Sequence, residues 1–595
     1  MIPLKGLRAA LRHVKKPNPT SLWTRILAVA VTENPYTINT KIRILLDLKL
    51  GDFPSLFAYA DAMSQTVYET PDEHFRMHQL AALIRKYPLE PSLSGMNPEE
   101  KARGTFMTAE HRCKRVNQRI LATRRVNRDR HWKLIFQMRG FIAFVLGDTP
   151  PLSSIYRASD FTGGAAIGVH GNATNFARKA TSDVWTCTSR ALSHSFGALM
   201  ENFHLCELLL AQPGKSVVCL DSALLGQALR DRVKCVHYNK LAFVPKTAKT
   251  HRSIAVEPLL NSFVQNGIDK TIRVKLLKVG IDLRYQSPNQ EMARLGSIEA
   301  ENPYCTIDLS SASDTIATEL VSELLPPEWF DLLDQTRSHY YKDGATIRKY
   351  EKFVSMGNGF CFPLQTLIFA AVCHACSRNR GITNDFRVYG DDIIVRQEIA
   401  EEVVAKLRDL GFLPNPRKTF LKGVFRESCG TDWHTGVNVR PIFIDKPLDS
   451  WGRIYGLHNQ SLRRETYVRE YWRPIRDLLF KLVPRIVRLV SYHDPREGED
   501  DSMGLNPWET KDVIDGAFWV PIDVFMCGKY VAWNAHIQNW SYAILRSAPA
   551  VDPAFIPSRS ESNSLIYLIG ALRGSDSTSP FTLRYSAQTK IALIN

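Results

Sequence analysis

The chain has 595 residues, 44% of them hydrophobic, with 76 Lys and Arg against 60 Asp and Glu, a net charge of +16. That is ample for a large core and roughly three to four domain-sized units, and the positive balance favours a polyanionic partner, most simply nucleic acid. Two classes are excluded: no apolar run approaches the roughly 18 residues of a membrane span, and eleven cysteines, an odd number without regular spacing, argue against a disulfide framework and fit a reducing, intracellular setting.

The first sixteen residues are basic and lack acids, and Leu4, Leu7, Leu11 and Val14 form a helical stripe. A targeting segment and a leading helix on an RNA-binding enzyme fit this equally well. Residues from about 17 to 100 mix short apolar segments with Pro-rich breaks. From His111 to Arg139 there are ten Lys and Arg and one acid, Asp129, with Trp132 and Phe136 interleaved. A long basic helix lining a nucleic-acid channel has this composition, and so does a solvated helix face. Phe161 to Gly171 is Gly-rich and suits a close backbone approach, without fitting a dinucleotide fingerprint. Gly214-Lys215-Ser216 resembles the end of a phosphate-binding loop, but Leu209 stands where that motif needs glycine.

Val244 to Pro258 carries Lys246, Lys249 and Arg252 at three-residue spacing, which suits a clamp on a triphosphate. Tyr304-Cys-Thr-Ile-Asp308 reads as a short buried strand ending on a carboxylate, which needs a partner there. Asp314 or Ser313 is expected to cap a helix from Thr315 onward. Ser355-Met-Gly357-Asn358-Gly-Phe360 is a Gly turn opening an apolar helix, suited to a template or nucleotide contact or to a plain turn. Cys373 and Cys376 form a single CxxC inside that helix and read as core. Phe386-Arg-Val-Tyr-Gly-Asp391-Asp392-Ile-Ile-Val395 reads as a tight hairpin with two carboxylates at its tip. Adjacent like charges call for a cation, and a hard divalent ion is the natural one; a solvated acidic turn is the plain alternative. Glu398 to Gly411 is a helix with Ile399, Val403, Leu407 and Leu410 on one face. In Asn415-Pro-Arg-Lys418-Thr-Phe420, Lys418 suits proton donation to pyrophosphate if its pKa is lowered, and otherwise reads as an exposed lysine. Beyond about 446 the composition predicts a mostly helical module, with Arg463 to Val490 broken at Pro474 and Pro484.

A strand-end Asp308 together with the Asp391-Asp392 pair is the carboxylate set that two-metal phosphoryl transfer requires.

The ordered motifs VPKTAKTHR, DLSSASD, SMGNGF, YGDD, NPRKTF and Phe425-Arg-Glu-Ser-Cys-Gly430 resemble the replicase β-subunit of single-stranded RNA bacteriophages, of the levivirus type, most densely from about 240 to 445. The resemblance implies an RNA-directed RNA polymerase with an α+β, right-hand fold of fingers, palm and mostly helical thumb. The expected divisions are 1–300 for the N-terminal region and fingers, 301–445 for the palm, and 446–595 for the thumb and C-terminal region. It implies Asp308, Asp391 and Asp392 as ligands of two Mg²⁺ ions, and Lys246, Lys249 and Arg252 on the nucleotide phosphates. Asp314 with Ser355, Gly357 and Asn358 would select ribose, and Lys418 would donate a proton. The implied partners are RNA template and product, NTPs, host elongation factors Tu and Ts and an RNA-binding ribosomal protein, in the host bacterial cytoplasm and with no membrane. Two departures stand out. The second motif acid, Asp314, comes six residues after Asp308 where most polymerases of this class have five, an offset the phage family shares, and Pro363 and Gln365 stand where acids are expected. A reverse transcriptase-like polymerase and a non-catalytic RNA-binding protein on a polymerase scaffold are the alternatives. An acid rather than an aromatic residue near Asp314 favours ribonucleotides over the first, and the presence of all three carboxylates argues against the second.

Overall fold

The computed structural model describes residues 17–126, 132–169, 176–202, 231–492 and 517–547 with isolated omissions, and scattered positions among the first sixteen, at 227 and at 550–594. Leu4, Leu11, Asp129, Gly171 and the Gly214-Lys215-Ser216 segment lie outside the described residues.

The fold is a mixture of helices and short strands around two large apolar cores. The first core is built around the helix Cys361–Arg380, whose 20 residues are buried on nearly every side, Cys373 and Cys376 included. A helix that is apolar all round must be covered all round. The helices Trp132–Leu146, Leu259–Lys278 and Gln397–Leu410 and a three-stranded antiparallel sheet do this. The sheet runs in the order Tyr304–Ile307, Asp392–Arg396, Phe386–Tyr389, so the expected hairpin supplies its central strand and one edge. The helix after it, Gln397–Leu410, buries Ile399, Val403, Leu407 and Leu410 and stops at Gly411, whose φ is 105°.

The basic stretch from His111 to Arg139 belongs to two helices, Pro98–Val126 and Trp132–Leu146. Several of its arginines have internal partners. Arg112 donates to the Gly411 carbonyl at 2.5 Å and Arg119 to that of Asp409 at 2.6 Å, satisfying the open C-terminal end of Gln397–Leu410. Arg124 pairs with Glu323 at 2.5 Å and Glu319 at 3.3 Å. The Gly-rich segment crosses its neighbour closely: a Cβ on Gly168 would lie 2.8 Å from the Thr186 side chain.

A second sheet runs in the order His251–Val256, Asn239–Pro245, Tyr340–Asp343, Thr346–Lys349, with only its central pairing parallel.

The second core joins distant parts of the chain. Trp23, Phe57 and Phe75 from the N-terminal helices share it with Tyr455, Trp472 and Phe518. The cores therefore divide the chain differently from the expected boundaries at 300 and 445: one spans residues 113–412, and the other joins residues 7–89 to 425–545, with Ala248 between. At the seam, buried Gln79 donates to the Ile442 carbonyl at 2.8 Å and accepts from Ile442 N at 2.9 Å and Trp472 Nε1 at 3.1 Å.

The C-terminal region departs from the expected helical module. Trp451–Leu462 and Thr466–Leu482 are helical, but the helix runs through Pro474. Burial of Tyr471, Trp472, Ile475 and Leu479 outweighs the backbone hydrogen bond that proline removes. The break at Pro484 does occur, ahead of a short 3-10 turn at Arg485–Val487. Beyond it strands predominate among the described residues, with Asn539–Ser547 pairing between Val531–Asn534 and Thr589–Ile594. The aromatic and β-branched residues of Asn539–Ser547 favour a pleated surface, and a composition rich in Trp and Leu does not reveal that.

Replacing Gln79 with Leu should strand the buried groups at Ile442 and Trp472 and cost about 1–3 kcal/mol. Denaturant unfolding measures it; an unchanged midpoint would contradict the seam.

Candidate active site

The central sheet decides where the acids stand. Ile307 pairs with Ile393 and Tyr389 with Asp392, so Asp308 leaves its strand at the level of Asp392, beside the Gly390-Asp391 turn. Gly390 has φ 65°, and Asp391 is not in the left-handed region, the pattern of a II′ hairpin turn. Space requires glycine as well: a Cβ at 390 would lie 2.4 Å from the Phe362 ring. The Gly390 amide donates to Thr366 Oγ1 at 3.0 Å, so the buried helix props the turn.

Asp308 Oδ2 accepts from Asn415 Nδ2 at 2.9 Å, and its carbonyl accepts from Asn415 N at 2.8 Å. Burial raises its pKa, with Asp391 adding to the effect while Lys418, Asn415 and Lys246 oppose it. Asp392 is pushed up to about 6, first by burial and then by Asp391, with Asp308 and Glu427 contributing. It accepts weakly from Ser428 Oγ at 3.4 Å. These are acids with too little positive charge around them. Among the described residues no three His, Cys, Asp or Glu side chains already stand as a ready metal cage.

A further acidic pair stands behind. Phe425–Ser428 and Thr431–His434 are joined through Cys429-Gly430, at φ 45° and 80°, which sets Glu427 opposite Asp432. Like charges directly across a ladder repel. Lys418 meets Glu427 at 2.6 Å, and Arg440 meets Asp432 at 2.7 Å and Glu427 at 3.9 Å. Lys418 is nearly half exposed, and the neighbouring Glu427 and Asp308 carboxylates raise its pKa. That is opposite to the lowering expected of a proton donor.

The three expected phosphate cations separate. The tip 246–250 joins the strands Asn239–Pro245 and His251–Val256. Lys246 lies within electrostatic reach of Asp308 and Asp391; burial, Arg252 and Lys418 lower its pKa. Arg252 is exposed beside it. Lys249 instead pairs with Asp61 at 2.6 Å and lies over the Phe57 ring, tying the tip to the N-terminal helices.

Asp314 is not a helix cap. The helix starts later, at Thr318, after Ala317 and with no side-chain cap, and Ser313–Thr315 is a 3-10 turn. The buried Asp314 carboxylate meets Lys352 Nζ at 2.5 Å and accepts from Ser253 Oγ at 3.2 Å. Lys352 also lies 4.0 Å from Glu110, whose carboxyl burial pushes up to about 7 against the pull of that lysine. Ser355 and Asn358 are buried in their turn. Gly357 has φ 109° and no room for a Cβ, which would lie 2.1 Å from the Ala255 carbonyl oxygen. Asn358 Oδ1 has no hydrogen-bond partner among the described residues. Pro363 sits in the first turn of Cys361–Arg380, where its missing N–H is harmless, and Gln365 packs beneath Gly390.

Sequence reasoning passed over Asn415, Glu427, Asp432, Arg440 and Asp61. For Glu427 and Asp432 a signal existed: a residue-plus-glycine corner between two short apolar-polar runs predicts a hairpin and sets the acids face to face. Asp61 acts across the fold, through Lys249 and Arg85, and nothing local marks it.

The family described as "RNA replicase, beta-chain" matches residues 53–494. The chain belongs to this family. The RNA-directed RNA polymerase subunit beta of Enterobacteria phage SP is 34% identical over 428 residues, 69% of this chain and 68% of that one. The subunit from Escherichia virus Qbeta is 34% identical over 435 residues, 71% and 68% of the two chains. The RNA-directed RNA polymerase beta chain of Escherichia phage MS2 is 47% identical over 238 residues, 38% of this chain and 43% of that one. The chain thus spans less than half of the MS2 relative and about two thirds of the other two. Among solved structures, the RNA-dependent RNA polymerase of a human picobirnavirus overlays with a TM-score of 0.30 at 14% identity, covering 41% of this chain and 57% of that one. The BmCPV RNA-dependent RNA polymerase at its elongation state gives 0.36 at 11%, covering 71% and 39%.

In this chain, Gly390→Ala should force strain of about 1–3 kcal/mol into the turn and displace Asp391. Nucleotide incorporation should fall far more than the melting temperature; retained activity would contradict the tight turn.

Proposed function

We propose that the chain is the RNA-directed RNA polymerase subunit of a single-stranded RNA phage replicase. The observation that carries the reading is the meeting of Asp308 with the Gly390-Asp391 turn at one end of the central sheet, faced by Lys246. The motif order and the family membership support it. The central sheet with the Cys361–Arg380 helix serves as the palm, and the flanking helical regions serve as fingers and thumb.

Magnesium suits the donor set: oxygen-only carboxylates that repel one another, with Asp308 and Asp391 as ligands and Asp392 beside them. Two such ions, when bound, lower the pKa of the attacking 3′-hydroxyl and offset charge on the departing pyrophosphate. The chain's own groups do the rest. Asn415 orients Asp308. Lys246 and Arg252 hold the nucleotide phosphates, while Lys249 anchors their loop to Asp61. Lys418 neutralises Glu427 and Asp308, and its raised pKa suits a fixed positive charge. Asp314, engaged by Lys352 and Ser253, and the turn holding Ser355, Gly357 and Asn358 lie toward the ribose by family analogy.

Template, product and NTPs are the ligands this reading requires, and the host cytoplasm is the setting of a phage replicase. No helix among the described residues is long and apolar enough to cross a membrane. Host elongation factors Tu and Ts and an RNA-binding ribosomal protein are partners by family analogy.

With RNA template, Mg²⁺ and NTPs the protein, alone or with host factors, should synthesise RNA, and Asp391→Asn should abolish synthesis with RNA affinity largely intact. Incorporation of dNTPs alone would favour a reverse transcriptase, and an active Asp391→Asn variant would remove the ligand assignment. RNA affinity should also fall steeply with salt, because contacts between cations and the phosphate backbone release counterions. A salt-insensitive affinity would contradict a basic RNA path.

A further inference from the structure

We infer that Lys86, at the end of the N-terminal helix Pro71–Lys86, is a phosphate-contacting residue that completes, with Lys246 and Arg252, the site for the nucleotide's triphosphate. The inference rests on the polymerase reading and adds a residue from outside its motifs.

Position comes first. The carbonyl of Arg85 accepts from Ala248 N at 3.4 Å, so the end of this helix is joined to the 246–250 tip. Asp61 fixes the same junction from below, pairing with Arg85 at 3.3 Å and Lys249 at 2.6 Å. Lys86 Nζ lies 5.0 Å from the centre of the Phe443 ring, and Arg440 lies 5.1 Å from it. The ring thus spaces two cations that would otherwise repel at close range.

Charge comes second. The charged groups bearing most strongly on Lys86 are Lys418, Arg440, Arg85 and Lys246, all cationic. Three of them already have acids: Lys418 has Glu427, Arg440 has Asp432 and Arg85 has Asp61. Lys86 and Lys246 have no hydrogen bond or ion pair among the described residues. Burial, followed by these four neighbours, pushes the Lys86 amine down to about 8. An ammonium held among cations without an acid is unfavourable until a polyanion arrives. A triphosphate meets the requirement, because Lys246 also faces Asp308 and Asp391, where the α-phosphate reacts. Lys86 thereby takes the place that Lys249, bound to Asp61, has left.

The test uses the full-length chain together with any host proteins that accompany it. Lys86→Gln should raise the KM for NTPs about tenfold, the loss of one charge-assisted contact. It should leave kcat and RNA affinity unchanged, and Lys86→Arg should restore the KM. An unchanged KM would overturn the inference. So would weakened RNA affinity at unchanged KM, which would assign Lys86 to the strand backbone. Should Lys86→Gln fail to fold, the wild-type protein decides: amine acylation read by mass spectrometry should show inorganic tripolyphosphate shielding Lys86 and Lys246. An unshielded Lys86 would overturn the inference while leaving the carboxylate site standing. Absence of RNA synthesis by the wild-type protein would sink the polymerase reading without altering the shielding.

Discussion

The antiparallel register that sets Ile307 against Ile393 is the constraint on which the site depends. Side chains alternate along a strand, so a slip of one residue would exchange Ile307 and Ile393, in the large core, with Thr306 and Ile394 on the opposite face, and move Asp308 away from the turn. Ile307, Ile393 and Val395 are buried in the large core, where the Gln397–Leu410 helix packs on their strands, and Ile394 is buried in a smaller cluster on the other face. Gly390 then fixes the tip, because both its positive φ and the Phe362 ring exclude any side chain there. The acids owe their position to apolar packing behind them.

That packing brings together more negative charge than the interior tolerates alone. Asp308, Asp391 and Asp392 lie close to Glu427, and Asp432 faces Glu427 across its hairpin. The cations divide the work. Lys418 and Arg440 serve Glu427 and Asp432. Lys352 serves Asp314 and Glu110 in a separate buried group. Lys246, Arg252 and Lys86 have no ion pair among the described residues. A site with surplus acid on one side and surplus base on the other is complementary to a metal-bound polyphosphate.

Local chemistry was legible in the sequence, and long-range pairing was not. The Gly-Asp corner between β-branched runs announced its hairpin, and the 399, 403, 407, 410 spacing announced its helix. Asp308 was legible as a strand-end acid because the residues before it are apolar. Asp314 misled because a Ser-Asp before a helical run is ordinary capping chemistry, whereas here a lysine 38 residues away claims the carboxylate. The Asp61 partner of Lys249, 188 residues distant, likewise left no local mark. The proline at 474 was overridden by core packing, and the shared core of the two chain ends left no local mark, because Gln79 meets Ile442 only when the fold closes.

The N-terminal helices are therefore part of the site's frame: through Asp61 and the end of Pro71–Lys86 they hold the cationic tip in place. The most direct measurement of the central claim is anomalous diffraction from crystals of the protein holding Mn²⁺, RNA and a non-hydrolysable NTP analogue. Manganese signal between Asp308 and Asp391, with the triphosphate on the side of Lys246, is the predicted result. Manganese bound elsewhere, with those two carboxylates empty, would contradict it.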